Sequence, residues 1–142
     1  MPPATNLDDS DRILAAVASI RAAIPDVQAI YRFGSTAAGT DGPGSDLDLA
    51  VLGPQPLDPV VRFDLQDQLA SLVRRPVDLV DLRTASTVMA MQVLAAGELL
   101  HDSAPESRGL FEDRAYGSYA RLNEERRGIL ARVAAEGTVY GR

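Results

Sequence analysis

The chain contains no cysteine, no lysine and a single histidine, His101, in 142 residues. Without cysteine there is no disulfide framework, no thiolate metal site and no sulfur nucleophile. Without lysine there is no Schiff-base chemistry and no Walker-type phosphate lysine. One histidine excludes a multi-histidine zinc site. A metal held here takes oxygen ligands, which points to Mg²⁺, Mn²⁺ or Ca²⁺. No apolar run approaches the ~18 residues needed to cross a bilayer. The stretch Met1 to Asp11 is polar and acidic, unlike a signal peptide, so a cytoplasmic chain without membrane contacts is expected. Fourteen basic residues stand against 20 acidic ones, a net charge of −6. An acidic chain with no basic run is poorly suited to gripping nucleic-acid phosphates, and no direct nucleic-acid partner is expected.

What is present fits one folded domain. Apolar residues make up 46% and charged residues 24% of the chain, a balance ordinary for globular proteins. Residues 1–9 read as a loose leader before a single domain over 10–142. Ile13, Val17, Ile20 and Ile24 recur at helical spacing from Ser10, a candidate N-cap, to Pro25. Val27 to Phe33 reads as a strand, and Gly34 to Ser45 as a small-residue stretch containing a short helix, Thr36 to Gly39. Asp46 to Leu52 forms a second strand, with Leu47, Leu49 and Val51 on one side and Asp46 and Asp48 on the other. Asp58-Pro59 supplies a cap and a first-turn proline for a helix that ends before Pro76. Its inward residues are expected to be Val61, Leu65, Leu69 and Leu72. Val77 to Leu82 is a third strand, Ser86 to Ala96 a helix, and Leu99 to His101 a short fourth strand. A C-terminal helical segment spans about 105–136, where Gly117 and Gly128 predict bends or a break. The order defines a mixed α/β domain.

Three features converge in this order: Gly34-Ser35 after the first strand, Asp46-Leu47-Asp48 opening the second, and Asp78 within the third. Residues i and i+2 of a strand share a side, ~6.5 Å apart, and a paired strand lies ~4.8 Å away. Asp46 and Asp48 can therefore converge on one hard cation or straddle two, and Asp78 joins them if the second and third strands pair. Without a cation such a group suffers like-charge repulsion. A glycine-serine turn leading into a helix presents backbone N–H groups and a hydroxyl to phosphate oxygens. Ten residues separate Ser35 from Asp46, enough for cradle and ligands to face each other across a cleft. Phosphoryl transfer needs these parts.

Other polar residues have plainer explanations. Asp81 falls on the opposite side of its strand from Asp78, where a capping or ion-pairing role is expected. His101 reads as a surface residue near a strand end. Tyr116 and Tyr119 read as packing residues that also suit contact with a partner or an adenine ring. The arginines and glutamates of the last helix read as a solvated face.

Gly34-Ser35, ten residues, then Asp46-Leu47-Asp48 resembles the GSX10DXD signature of the DNA polymerase β-like nucleotidyltransferases. Ser45 to Val51, Val77 to Leu82 and Gly97 to His101 followed by a helix are similar to the minimal subgroup, and to the MNT antitoxins of HEPN/MNT toxin–antitoxin pairs. The resemblance implies a mixed sheet of about four strands with helices on one side and a cleft on the other. It implies that Gly34 and Ser35 hold the nucleotide phosphates. Asp46, Asp48 and Asp78 would bind Mg²⁺ as two ions, with Asp78 also the base for the acceptor. ATP would be the substrate, and a HepT-like HEPN ribonuclease toxin, AMP-modified on a tyrosine within a hetero-oligomer, the partner. Thr36-Ala37-Ala38 departs from relatives that carry arginine in this turn, placing phosphate neutralisation on the metal and the helix N-terminus. Two other functions stay open: an antitoxin that neutralises by contact alone, and transfer to a small acceptor such as an aminoglycoside.

Overall fold

Local sequence dictates much of the chain's path. In the computed structural model, which describes residues 9–34, 37, 39 and 45–135, the Asp58 carboxylate accepts from the N–H groups of Val60 (2.8 Å) and Val61 (3.3 Å). With Pro59 at the first position this starts α2, Pro59–Val73, two donors satisfied by one cap. The preceding elements are α1 (Asp9–Ala23), β1 (Ala29–Phe33) and β2 (Leu47–Leu52). Following α2 come β3 (Val77–Asp81), α3 (Thr87–Ala96), β4 (Glu98–Asp102) and α4 (Pro105–Ala135). Ser86 caps α3 by accepting from the Met89 N–H.

The four strands form one sheet in the order β3-β2-β1-β4. β1 runs antiparallel to β2 and β4, whereas β2 and β3 are parallel. Leu47, Leu49, Val51, Ile30, Val77 and Leu79 occupy one face and are covered by Ala16 and Ile20 of α1 and by Leu65, Leu69 and Val73 of α2. Nearly all are under 6% exposed, and each such side chain contributes about 1.5–3 kcal/mol by leaving water. The edge strand β3 is guarded: the Leu79 N–H donates to Gln66 Oε1 (2.9 Å) and the Leu79 carbonyl accepts from Arg62 (3.0 Å). Both partners come from α2, which closes an edge otherwise open to pairing.

The second face is shared. Ala29, Tyr31, Ala50, Leu52 and Leu82 pack there against Ala90 and Val93 of α3 and Ala115 of α4. Among the described residues, helices thus cover one face fully and part of the other, and the part they leave open is the end where β2 and β3 begin.

Several expectations change in detail. α1 begins at Asp9, one residue before Ser10, so Ser10 lies inside the helix. Val61 and Leu72 of α2 are exposed, at 45% and 42%. The stripe facing the sheet is instead Arg62, Leu65, Gln66, Leu69 and Val73, and Val61 and Leu72 sit about one helical step, ~100°, off it. α4 runs unbroken through Gly117 and Gly128. The leader 1–8, most of the short helix expected at Thr36 to Gly39, and residues 136–142 lie outside the described residues. Among the described residues no helix is long and apolar enough to cross a membrane.

Candidate active site

The register of the sheet assembles the site. Phe33 of β1 pairs with Asp48 of β2, and Asp48 lies beside Asp78 of β3. Registered neighbours share a face, so Phe33, Asp48 and Asp78 form a row across three strands at one end of the partly covered face. Asp46, two residues before Asp48, falls on the same side at the exposed start of β2. The pairing of β2 with β3 on which Asp78 depended is therefore present, and Asp46, Asp48 and Asp78 share one rim.

Gly34 follows Phe33 directly and adopts a left-handed φ of 73°. A Cβ at this position would overlap the Asp48 Oδ2. The first turn after β1 therefore lies flush against the carboxylate, which only glycine permits without strain. Ser35, the other half of the proposed phosphate cradle, lies outside the described residues.

Burial pushes the Asp48 carboxyl above its ordinary range, and the negative charges of Asp78 and Asp46 push it the same way. Among the described residues no acidic or imidazole side chains form a ready group of three able to hold a metal ion. The upward push on Asp48 thus comes first from burial and then from the like charges of Asp78 and Asp46. Mg²⁺ suits such a rim: it binds through one or two carboxylates and completes its shell with water and substrate phosphates, with no closed protein cage. The donors are all hard oxygens, and Gly34 lets the backbone pass close beside the Asp48 carboxylate.

Arg75, unnoticed in the sequence, braces the rim. Its Nε donates to the Ser45 carbonyl at 2.7 Å, immediately before Asp46. The Leu47 N–H donates to the Pro76 carbonyl at 2.8 Å, so the start of β2 is pinned to the α2–β3 turn. An arginine flanking a helix end carries no sequence signal for that brace. Asp81 is 4% exposed and accepts from the Leu57 N–H (2.8 Å) and the Arg83 N–H (2.9 Å). It fastens the β2–α2 loop and belongs to the scaffold. His101 pairs with Ile30 toward the opposite end of β1 from Gly34, and the sheet does not bring it to the rim. Tyr116 and Tyr119 lie on α4, with Tyr116 46% exposed.

An acidic rim beside a left-handed glycine, on a mixed four-stranded sheet, fits the fold of a nucleotidyltransferase. The profile described as polymerase beta, nucleotidyltransferase, matches residues 16–106, and the chain belongs to that family. Over 116 residues it is 41% identical to the protein adenylyltransferase MntA of Shewanella oneidensis, covering 82% of this chain and 83% of that one. A crystal structure of a toxin–antitoxin with AMP-PNP is similar at 38% identity and TM-score 0.77, over 89% of this chain and 99% of the other. So is an MNT antitoxin in complex with a tri-AMPylated Shewanella oneidensis HEPN toxin. That likeness has 35% identity and TM-score 0.74, over 88% of this chain and 98% of the other.

Proposed function

We propose that this nucleotidyltransferase transfers AMP from ATP to a tyrosine hydroxyl of a cognate HEPN ribonuclease toxin and so acts as its antitoxin. The observation that carries the chemistry is the row of Asp48 beside Asp78 with Gly34 pressed against Asp48. Similarity to an adenylyltransferase and to an antitoxin bound to an AMP-bearing toxin supports the choice of substrate and acceptor.

In this reading the turn at Gly34 and Ser35 receives the β- and γ-phosphates. Asp46 and Asp48 would hold Mg²⁺, which would offset the negative charge of the triphosphate oxygens. Asp78 takes the proton from the tyrosine hydroxyl, whose ordinary pKa of ~10 leaves it a poor nucleophile at neutral pH. The phenolic oxygen forms its bond to the α-phosphorus as the bond to pyrophosphate breaks, and pyrophosphate leaves. Burial raises the Asp48 carboxyl, and the charges of Asp78 and Asp46 raise it further; a pure binding module has no need of three carboxylates at one strand end.

Intact mass spectrometry tests the reading. The HEPN protein encoded beside this chain, incubated with it, ATP and Mg²⁺, is expected to gain mass in whole AMP units. The Asp46→Asn/Asp48→Asn variant should add none. An unchanged mass with a stable complex would favour neutralisation by contact. Pyrophosphate release that depends on an added aminoglycoside would favour a small acceptor.

A further inference from the structure

α4 is 31 residues long, ~46 Å at 1.5 Å per residue, and the rest of the chain uses only its first half. Phe111 packs on the partly covered face, Ala115 is buried, and Glu112 accepts from the Tyr31 hydroxyl at 2.8 Å. From Glu124 to Ala135 every residue is exposed. Ile129, Leu130 and Val133 stand 52%, 60% and 49% exposed on this stretch. At 100° per residue, Phe111, Ala115, Leu122, Ile129 and Val133 lie within ~60° of one another around the helix. The stripe that roots α4 on the sheet thus runs on past it, uncovered among the described residues.

The boundary coincides with the boundary of the catalytic family. The nucleotidyltransferase match ends at residue 106, where α4 (Pro105–Ala135) begins. The toxin–antitoxin structure matches 89% of this chain's 142 residues, a span that must take in about fifteen or more residues of α4. α4 thus lies almost wholly outside the stretch matched by the nucleotidyltransferase family, and at least part of it lies inside the stretch shared with a toxin–antitoxin structure. Residues 121–135 also carry four arginines against two glutamates in a chain of net charge −6.

We infer that the distal half of α4 is the docking helix for the HEPN partner, its Ile129/Val133 stripe seated in an apolar groove with an acidic rim on the toxin. This rests on the AMP-transfer reading for the identity of the partner. Helix-in-groove recognition uses anchors at i, i+4 and i+7 spacing on one face, and Leu122, Ile129 and Val133 supply them. A free helical end this short is marginal in water by itself, so a seat on the partner also gives it lasting order.

The test uses the full-length Ile129→Asp/Val133→Asp variant and the HEPN protein encoded beside this chain. Binding is measured by titration calorimetry, ATP binding to the chain alone is measured alongside, and circular dichroism checks the fold. The inference expects toxin affinity to fall at least a hundredfold while ATP affinity stays within twofold. Asp48→Asn should show the converse, full toxin binding without transfer. Wild-type toxin affinity in the double variant overturns the docking role. So does a dimer of the chain alone that the variant converts to monomer while toxin binding persists, since the stripe then belongs to a second copy. A wild-type complex that forms without AMP transfer, and that the variant abolishes, contradicts the transfer reading and upholds the docking helix.

Discussion

Two aspartates three residues apart on β3 have opposite fates. Asp81 is buried and accepts two backbone N–H groups, one from Leu57 in the β2–α2 loop and one from Arg83 in the turn after β3. Asp78 is exposed at the other end of the strand, beside Asp48 in the sheet register. One carboxylate is neutralised by fixed donors and holds the fold together. The other stands in a rim of like charge with Asp48. A buried carboxylate held by backbone donors signals scaffold, and an exposed one set beside another carboxylate at a strand end signals chemistry.

Substitutions at the two ends should separate these roles. The largest effect is expected for Asp46→Asn or Asp48→Asn, each lowering AMP transfer by on the order of 10³-fold, read by the initial rate of toxin modification. Gly34→Ala comes next. Its Cβ displaces the Asp48 carboxylate, and a misplacement of this size lowers transfer by about a hundredfold, against a stability loss of only about 1 kcal/mol from the left-handed φ. Comparing rate with urea midpoint checks the imbalance. Asp81→Ala should do the reverse. It leaves two backbone donors unpaired, costs about 2 kcal/mol in urea unfolding, and leaves the rate per folded molecule unchanged.

A subtler contrast concerns pH. The Asp48 pKa is raised in the folded chain, so its favourable contribution is complete below the ordinary value near 3.8 and is lost as pH rises through the raised value. In metal-free buffer the Asp48→Asn variant should therefore gain on the wild type across that window and stay ahead at neutral pH. Mg²⁺ should narrow the gap by stabilising the wild type alone, as thermal melts with and without EDTA would show. The smallest effect belongs to Tyr31→Phe, which removes the hydroxyl that donates to Glu112 and costs about 1 kcal/mol. Burial and the Glu112 carboxylate push the Tyr31 phenol well up, so this loss should be flat across neutral pH.

Much of the site was legible because its signals are local. The Asp-x-Asp parity on β2, the Asp58-Pro59 cap and the opposite sides of Asp78 and Asp81 all follow from short-range geometry. The register that sets Asp48 beside Asp78 is non-local, since it depends on β2 lying between β1 and β3. It was conditional in the sequence, and the sheet supplies it. Val61 and Leu72 were misplaced because several apolar residues compete for one helical stripe. Arg62 and Gln66 won two of its positions by bonding the β3 edge. The bends expected at Gly117 and Gly128 are absent, where a cost of about 1 kcal/mol per glycine is too small to break a helix rooted at its first half.

The central claim is that the β2–β3 rim, and not the opposite end of β3, performs AMP transfer. Its most direct test is the intact mass of the HEPN toxin after equal incubation with wild type, Asp78→Asn and Asp81→Asn in the presence of ATP and Mg²⁺. The account predicts AMP-sized increments from the wild type and from folded Asp81→Asn, and none from Asp78→Asn. Increments that survive Asp78→Asn and vanish with folded Asp81→Asn would contradict it.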